Sequence, residues 1–238
     1  MLMIIHHQLM ERMRYFCLLS LLLVMIIPSQ SHAQGGVRLG VRGGYSMATQ
    51  YGILQPDMPY TVDVFFRHGV TAGLLLYYPI TPTFGVQQEF LYVQKGSLED
   101  IDLLDRPIFS HTEYDLNYFE IPVSIRYAFG SIGETTFFGT SGIALSILLN
   151  GEYRLSGVAE INGETANFSD TNSIETIDIF DYAFLYGAGV QRELLGRQTF
   201  FEYRFTIGWN TLMMPTAEGE DPAPLRNQNY FFTLGFYL

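Results

Sequence analysis

The chain has 238 residues, a net charge of −11, and 16% charged residues beside 48% hydrophobic and 15% aromatic ones. The negative charge argues against nucleic-acid binding, which requires clustered Lys and Arg side chains. A typical soluble domain has about 25% charged residues, so the low value here indicates that much of the surface faces a medium other than water.

The N-terminal segment is predicted to be a secretory signal peptide. Arg12 and Arg14 precede the apolar run 15–27, and Ala33 is a small residue suited to a cleavage site. A retained anchor is the weaker alternative, because the run is shorter than the roughly 20 residues of a transmembrane helix. Cleavage leaves a mature domain of residues 34–238 and removes the only cysteine, so no disulfide is expected.

Eight later stretches alternate apolar and polar residues with a period of two, which predicts β-strands. They lie near 37–47, 67–79, 84–95, 114–129, 136–149, 180–192, 199–210 and 228–238. No apolar run beyond the signal peptide is long enough for a transmembrane helix. A closed β-barrel is the other structure that satisfies backbone hydrogen bonds in lipid.

The connections between the predicted strands alternate in length. Three are short and contain Gly or Pro, whereas four are predicted to be long polar loops, near 48–66, 96–113, 150–179 and 211–227. Strands running up and down place every short turn at one end and every long loop at the other, which is typical of outer-membrane barrels. We therefore predict an all-β fold, a closed eight-stranded antiparallel up-and-down transmembrane β-barrel.

The two faces of each predicted strand differ in character. Between Tyr118 and Phe129, apolar residues share one face and Glu120, Ser124 and Arg126 share the other. The interior of an eight-stranded barrel is just wide enough for its own side chains. Phe, Tyr and Trp side chains from most strands would overfill it, so the aromatic face is predicted to contact lipid and the polar face to line the lumen. Gln88, Gly139 and Ser141 depart from this pattern, because they fall on the lipid side.

Three cations and three anions fall on the predicted lumen face. They are Arg42, Glu89, Glu120, Arg126, Glu202 and Arg204. Buried charges are tolerated when they are paired and hydrogen-bonded, so we predict an interlocked Arg and Glu network that plugs the lumen and fixes strand register. A proton relay or a transport path is the alternative interpretation.

Four segments carry a family resemblance. They are "EFLYVQKG" at 89–96, "YFEIPVSIRY" at 118–127, "LYGAGVQ" at 185–191 and "EYRFTIGW" at 202–209. The chain resembles the PorT-like outer-membrane β-barrel family from Val37 to Leu238. The Glu-Ile-Pro sequence is the more specific part, because Pro inside a strand removes a ladder hydrogen bond. The resemblance implies a barrel in the outer membrane of a Gram-negative bacterium, usually without an assigned activity, and one branch of that family serves in protein secretion.

The last predicted strand, "NYFFTLGFYL", resembles the C-terminal signal that the barrel assembly machinery reads, although it ends on Leu238 with Phe236 two residues before. The partners expected from the sequence are therefore outer-membrane lipids, this machinery, and a protein at the extracellular loops.

Candidate catalytic and metal-binding residues are few. His68 and His111 are the only histidines of the mature chain, and Ser110 would be a nucleophile if His111 lay within hydrogen-bond reach. The acidic segments 98–105 and 217–222 have the chemistry for a divalent cation, but solvated loop faces explain them more simply. No catalytic, cofactor or metal site is predicted.

The leading functional hypothesis is a non-enzymatic integral outer-membrane protein with a plugged polar lumen and long acidic extracellular loops, in a structural or interaction role. The first alternative is a narrow porin-like or secretion-associated barrel. The second is a soluble periplasmic ligand-binding barrel, with the aromatic face turned inward.

Overall fold

The structure is a computed structural model that describes residues 36–52, 60–103, 108–161, 164–174, 179–214 and 223–238. The predicted signal peptide and the acidic segment 217–222 lie outside these ranges. Among the described residues, no helix is long and apolar enough to cross a membrane.

Eleven β-strands form within the described ranges, and all of their pairings are antiparallel, so the all-β prediction is confirmed. They are β1 Arg38–Gly52, β2 Tyr60–Phe65, β3 Arg67–Pro79, β4 Phe84–Leu103, β5 Ile108–Ile132, β6 Thr135–Ile161, β7 Glu164–Ser173, β8 Phe180–Leu194, β9 Arg197–Gly208, β10 Leu212–Met214 and β11 Ala223–Tyr237.

Eight of these strands pair in a ring. The order is β1, β3, β4, β5, β6, β8, β9 and β11, and β11 pairs back onto β1 from Gly40↔Tyr237 to Gly52↔Leu225. The connections 80–83, 133–134 and 195–196 are short and lie at the same end of the ring as the start of β1. We call this the short-turn end. At 195–196 both residues have positive φ, as a two-residue hairpin turn requires.

At the opposite end, the prediction of long loops is wrong for much of the sequence. β4 and β5 stay paired as far as Asp102↔Phe109, and β5 and β6 as far as Ile108↔Ala159. β2 adds to β4 and β7 adds to β6. Polar residues fall on both faces of these strands, so no apolar face marks them in the sequence, and pairing between hairpin strands satisfies their backbone hydrogen bonds.

The order β2, β4, β5, β6, β7 therefore defines a five-stranded extension beyond the ring. We call residues 60–65, 97–103, 108–115, 152–161 and 164–173 the projecting sheet. The other two predicted loops are also partly strand, because β1 continues to Gly52 and β11 begins at Ala223.

The outward face of the ring is apolar and exposed. Ile125, Ile143 and Leu234 are 48%, 50% and 59% exposed. At the end of the ring opposite the short turns, the Trp209 ring packs on Tyr182 and Phe184, with ring centroids 6.1 and 4.3 Å away. Aromatic residues flanking an apolar belt are characteristic of membrane interfaces.

The enclosed face is polar but also holds aromatic rings, which the volume argument did not anticipate. Phe138 and Phe200 are each 1% exposed. They fit because glycine faces each ring: a Cβ at Gly189 would lie 2.4 Å from Phe138 Cζ, and one at Gly235 would lie 2.3 Å from Phe200 Cζ. Large and small residues thus alternate across the enclosed space. Gln88, expected on the lipid side, is buried at 7% exposure.

Candidate functional site

Four charged side chains from β1, β4 and β9 meet inside the ring. Arg42, Glu89, Glu202 and Arg204, which we call the ion quartet, are at most 4% exposed. Arg42 Nη1 lies 2.9 Å from Glu89 Oε1 and 3.0 Å from Glu202 Oε2. Arg204 Nη2 lies 2.6 Å from Glu89 Oε1 and 3.2 Å from Glu202 Oε1. Each cation therefore contacts both carboxylates, and the quartet has no net charge.

Neutral groups complete the coordination of the quartet carboxylates. Thr140 Oγ1 donates to Glu202 Oε1 at 2.7 Å, and Gln87 Nε2 donates to Glu89 Oε1 at 2.5 Å. A Cβ at Gly187 would lie 2.6 Å from Glu202 Oε1, so the absence of a side chain there leaves room for the carboxylate. Several partners for each buried carboxylate make its charge tolerable.

A second cluster surrounds the single lysine of the chain. Lys95 Nζ lies 2.8 Å from Glu120 Oε2 and 2.9 Å from Asp181 Oδ2, and it donates to Ser146 Oγ at 2.8 Å. All four residues are at most 1% exposed. We call them the lysine cluster. Glu120, predicted to belong to an Arg and Glu network, has Lys95 as its cation instead.

Arg126 lies apart from the carboxylates. Its guanidinium donates to Tyr237 Oη at 3.0 Å and to Gln191 Oε1 at 2.5 Å, and its carbon lies 3.4 Å from the Phe138 ring centroid. Within the described ranges no carboxylate forms a salt bridge with it. Its link to the quartet runs through Gln87, which accepts from Arg126 at 3.5 Å and donates to Glu89.

The structure thus brings four of the six predicted residues together, pairs Glu120 with a lysine, and leaves Arg126 among neutral groups. Lys95 and Asp181 are not among the lumen residues predicted from the sequence. A sequence signal for both existed, because Lys95 shares the parity of Glu89 and Asp181 alternates with the outward Tyr182. With them, the residues of the two clusters and Arg126 comprise four cations and four anions: Arg42, Lys95, Arg126 and Arg204, and Glu89, Glu120, Asp181 and Glu202. A fifth buried cation, Arg67, pairs instead with Glu113 and Asp115 of the projecting sheet.

A polar cavity opens at the short-turn end of the ring. Its volume is about 460 Å³, and it is lined by Glu134, Thr136, Gln191, Arg192, Glu193, Gly196 and Gln198. Gln191 connects it to the interior, because it accepts from Arg126 and donates to Gln198 at 3.0 Å. Arg192 and Glu134 form an exposed ion pair of 2.8 Å at its edge.

The two histidines do not form a nucleophile–base pair with Ser110. His111 Nδ1 lies 2.5 Å from Asp100 Oδ1 on the projecting sheet. Ser110 precedes His111 in a strand, so the two side chains point to opposite faces. His68 is hydrogen-bonded to the Tyr45 hydroxyl. Across the described ranges, no group of three or more His, Cys, Asp or Glu side chains is arranged to hold a metal ion.

Glu99 is a carboxylate of the projecting sheet whose pKa is shifted by burial. Burial raises the pKa of Glu99 to about 7, although a hydrogen bond from Ser97 at 3.5 Å acts in the opposite direction. Burial also raises the pKa of the neighbouring Tyr114 above its ordinary value. Glu99 is therefore expected to titrate near neutral pH.

The chain is similar, at low sequence identity, to three solved bacterial outer-membrane or surface proteins. The outer membrane protein OprG from Pseudomonas aeruginosa is 13% identical, with 87% of this chain and 99% of that chain covered and a TM-score of 0.47. Neisserial surface protein A is 10% identical, with 86% and 100% covered and a TM-score of 0.40. The outer membrane protease OmpT from Escherichia coli is 9% identical, with 88% and 98% covered and a TM-score of 0.48.

These likenesses assign no activity. No curated protein matches the chain in sequence. A family model, in contrast, matches residues 29–213, well over half of the sequence. The chain belongs to the outer membrane protein beta-barrel domain family.

Proposed function

We propose that this chain is a non-enzymatic integral outer-membrane protein whose eight ring strands close as a transmembrane β-barrel with a plugged lumen. Its role is structural or one of interaction through the projecting sheet. One observation carries the proposal: charged side chains occupy the enclosed space while large apolar side chains cover the outward face. That distribution suits hydrocarbon outside the ring and not water.

The apolar belt argues against a soluble periplasmic barrel. A soluble monomer rarely exposes a continuous apolar patch larger than a few hundred Å². Here half-exposed Ile, Leu, Phe and Tyr side chains follow one another on adjacent ring strands, including Leu74, Phe119, Ile143, Phe184 and Leu234. In water these apolar side chains would stay exposed at a cost in free energy, whereas in a membrane lipid acyl chains would cover them.

The two ionic clusters support a plug. Glu89 on β4 contacts Arg204 on β9, and Lys95 on β4 contacts Asp181 on β8, although neither pair of strands is adjacent in the ring. These contacts cross the enclosed space. Opening a solute path would separate buried partners, and removing one partner of a buried pair costs about 3–5 kcal/mol. A porin-like path is therefore the less favoured alternative.

The PorT-like assignment is part of the proposal, and the Glu-Ile-Pro segment gives it a structural rationale. The β4–β5 ladder runs through Gln88↔Val123 and resumes at Leu91↔Glu120, so the positions opposite Pro122 and Ile121 are unpaired. Proline has no N–H to donate. The interruption lies beside Glu89, where the quartet is built. A role in secretion follows from the resemblance alone and stays the second alternative.

We further propose that residues 1–33 are removed on export and that β11 is read by the barrel assembly machinery. β11 lies between β9 and β1, and Leu238 N donates to Leu39 O at 2.8 Å just past its end. A strand in this position completes the ring, which suits a terminal assembly signal. The mature chain then contacts outer-membrane lipids along the belt.

The absence of enzymatic activity is supported by the placement of the rim residues. The contact between His111 and Asp100 lies on the projecting sheet, with both side chains about one-third exposed or more. The serine next to His111 faces the other way. If the protein were a hydrolase that used His111, the His111→Ala variant would lose its activity. Detection of a hydrolysis by the purified protein that depends on His111 would refute this part of the proposal.

Planar-bilayer recording tests the proposal as a whole. The purified mature protein, folded in detergent, should give heat-modifiable migration on gels and stay in the membrane fraction after carbonate extraction. Added to a planar bilayer, it should produce no steady openings. Reproducible unit conductance would refute the plug, and release by carbonate would refute membrane integration.

A further inference from the structure

Strand β7 forms a long edge of the projecting sheet. Among the residues that the structure describes it pairs with β6 alone, and all ten of its side chains are exposed. It contains no proline. An edge strand with unpaired backbone groups is a template for pairing with another chain.

The hydrogen-bond alternation identifies which backbone groups point away from β6. Ile174 N donates to Gly151 O at 2.9 Å, so even-numbered positions face β6 and odd-numbered positions face outward. The N–H of Thr171 is already capped by Asp170 Oδ1 at 2.9 Å. Within the described part of the chain, the outward N–H groups of Thr165, Asn167 and Ser169 are left as donors for an added strand.

The edge is held in place at its base. Ile174, directly after β7, is 8% exposed and packs with Leu116, Tyr118 and Leu225. Asn172 Nδ2 donates to Tyr153 Oη at 3.1 Å and ties β7 to β6. A strand fixed in this way pays little ordering entropy when a second strand pairs with it.

The projecting sheet is strongly acidic. Within its described residues there are ten carboxylates and one arginine, Arg154. The carboxylates belong to Asp63, Glu99, Asp100, Asp102, Glu113, Asp115, Glu152, Glu160, Glu164 and Asp170. Such a surface attracts cationic segments and repels a second copy of itself.

We propose that β7 binds an extended basic polypeptide segment of another protein by strand addition. The inference rests on the proposed function, because insertion in the outer membrane places the projecting sheet at the surface. Glu164, Phe168 and Asp170 share one face of β7, whereas Asn167 and Ser169 share the other. The partner strand should therefore carry Lys or Arg and an apolar residue on one face, and small polar residues on the other.

The test uses the mature protein folded in lipid nanodiscs and a fluorescein-labelled ten-residue peptide that alternates Thr with Lys or Val. Fluorescence anisotropy should report saturable binding that weakens as salt is raised. The same peptide with N-methyl groups on alternate backbone nitrogens should bind about tenfold more weakly, because it cannot complete the ladder. Equal binding of the two peptides would overturn strand addition.

A matched pair of variants at one position isolates the edge. Asn167→Pro removes an outward N–H and leaves the β6–β7 ladder intact, so affinity should fall about tenfold. Asn167→Ala should bind like the wild type. Equal affinities for the two variants would overturn the inference.

Two further measurements separate the remaining outcomes. Heat-modifiable migration of the same sample reports whether the protein has inserted as a barrel. Inserted protein that does not bind the peptide refutes strand addition alone. Protein that does not insert refutes both strand addition and the proposed function. Wild-type protein that dimerises, and loses the dimer in Asn167→Pro, would assign the edge to a second copy and overturn the basic-peptide inference.

Discussion

Glu89→Gln is the substitution with the clearest expected effect on stability. In the wild type, Glu89 accepts from Arg42 at 2.9 Å and from Arg204 at 2.6 and 3.0 Å. Without its charge, two buried guanidinium groups share Glu202 alone. The quartet, which has no net charge in the wild type, then carries one excess positive charge.

The expected cost follows from the burial of the group. Removing one partner of a buried ion pair costs about 3–5 kcal/mol, and the lower end applies here because glutamine still accepts a hydrogen bond. Arg42→Gln in the same background restores neutrality. The double variant should therefore be more stable than the sum of the single costs implies, by about 2 kcal/mol.

Urea unfolding from lipid vesicles measures these costs, with Trp209, the only tryptophan, as the fluorescent probe. The exposed pair Arg192–Glu134 provides the control, because its 2.8 Å distance matches that of a buried pair while the side chains are 53% and 75% exposed. Glu134→Gln should have almost no effect. If the costs of Glu89→Gln and Arg42→Gln add within about 0.5 kcal/mol, the idea of a coupled quartet is refuted.

Three more substitutions test separate parts of the structure. Gly187→Ala should cost about 1–3 kcal/mol by crowding Glu202, whereas Gly139→Ala, whose Cβ has no atom closer than 3.7 Å, should be neutral in the same urea assay. Lys95→Met should cost about 3–5 kcal/mol by leaving two buried carboxylates without a cation. For Glu99, hydrogen exchange in β4 should give a lower free energy of local opening at pH 8 than at pH 5. The Glu99→Gln variant should show no such difference.

The sign of the Glu99 effect follows from linkage. The folded-state pKa, about 7, lies above the ordinary value of 4.5, so the native state binds the proton more tightly than the open state. Stability is therefore greatest at low pH and falls as pH rises from about 4.5 through 7. Because the side chain is partly exposed, the expected loss is on the order of 1–2 kcal/mol. Greater protection at pH 8 would contradict this assignment.

Controls for the other two substitutions use the same assay. If Gly139→Ala destabilised the protein as much as Gly187→Ala, the cost at Gly187 could not be attributed to its short distance from Glu202. A Lys95→Met variant as stable as the wild type would contradict the stabilising pairing of Lys95 with Glu120 and Asp181.

The period-two alternation is a local property, and for that reason it could be found in the sequence. It locates the ring strands and separates outward side chains such as Ile125 and Tyr127 from buried ones such as Ser124 and Arg126. It fails beyond residue 96 of β4 because the projecting sheet is polar on both faces, so alternation of charge and hydroxyl groups resembles a loop. The extension depends on pairing between segments, which no single segment encodes.

The partners of each charge inside the ring could not be predicted in the same way. Parity places a side chain inside, but the choice among partners depends on strand tilt and register across the ring. Arg126 illustrates this: an acidic partner was expected, and the structure gives it Tyr237, Gln191 and the face of Phe138. Lys95 and Asp181 lie near the ends of the strands predicted from the sequence, 84–95 and 180–192, where parity alone does not decide burial; in the structure Lys95 is inside β4.

Accessibility of nitroxide labels in a reconstituted bilayer tests the central claim most directly. The mature chain has no cysteine once residues 1–33 are removed, so single cysteines at Ile125, Ile143 and Leu234 can be labelled without interference, with Thr171 on the projecting sheet as the aqueous reference. Labels at the three belt positions should collide with dissolved oxygen and be shielded from a water-soluble nickel chelate, while the reference label shows the reverse. Belt labels that are open to the chelate and shielded from oxygen would contradict an apolar face in contact with lipid.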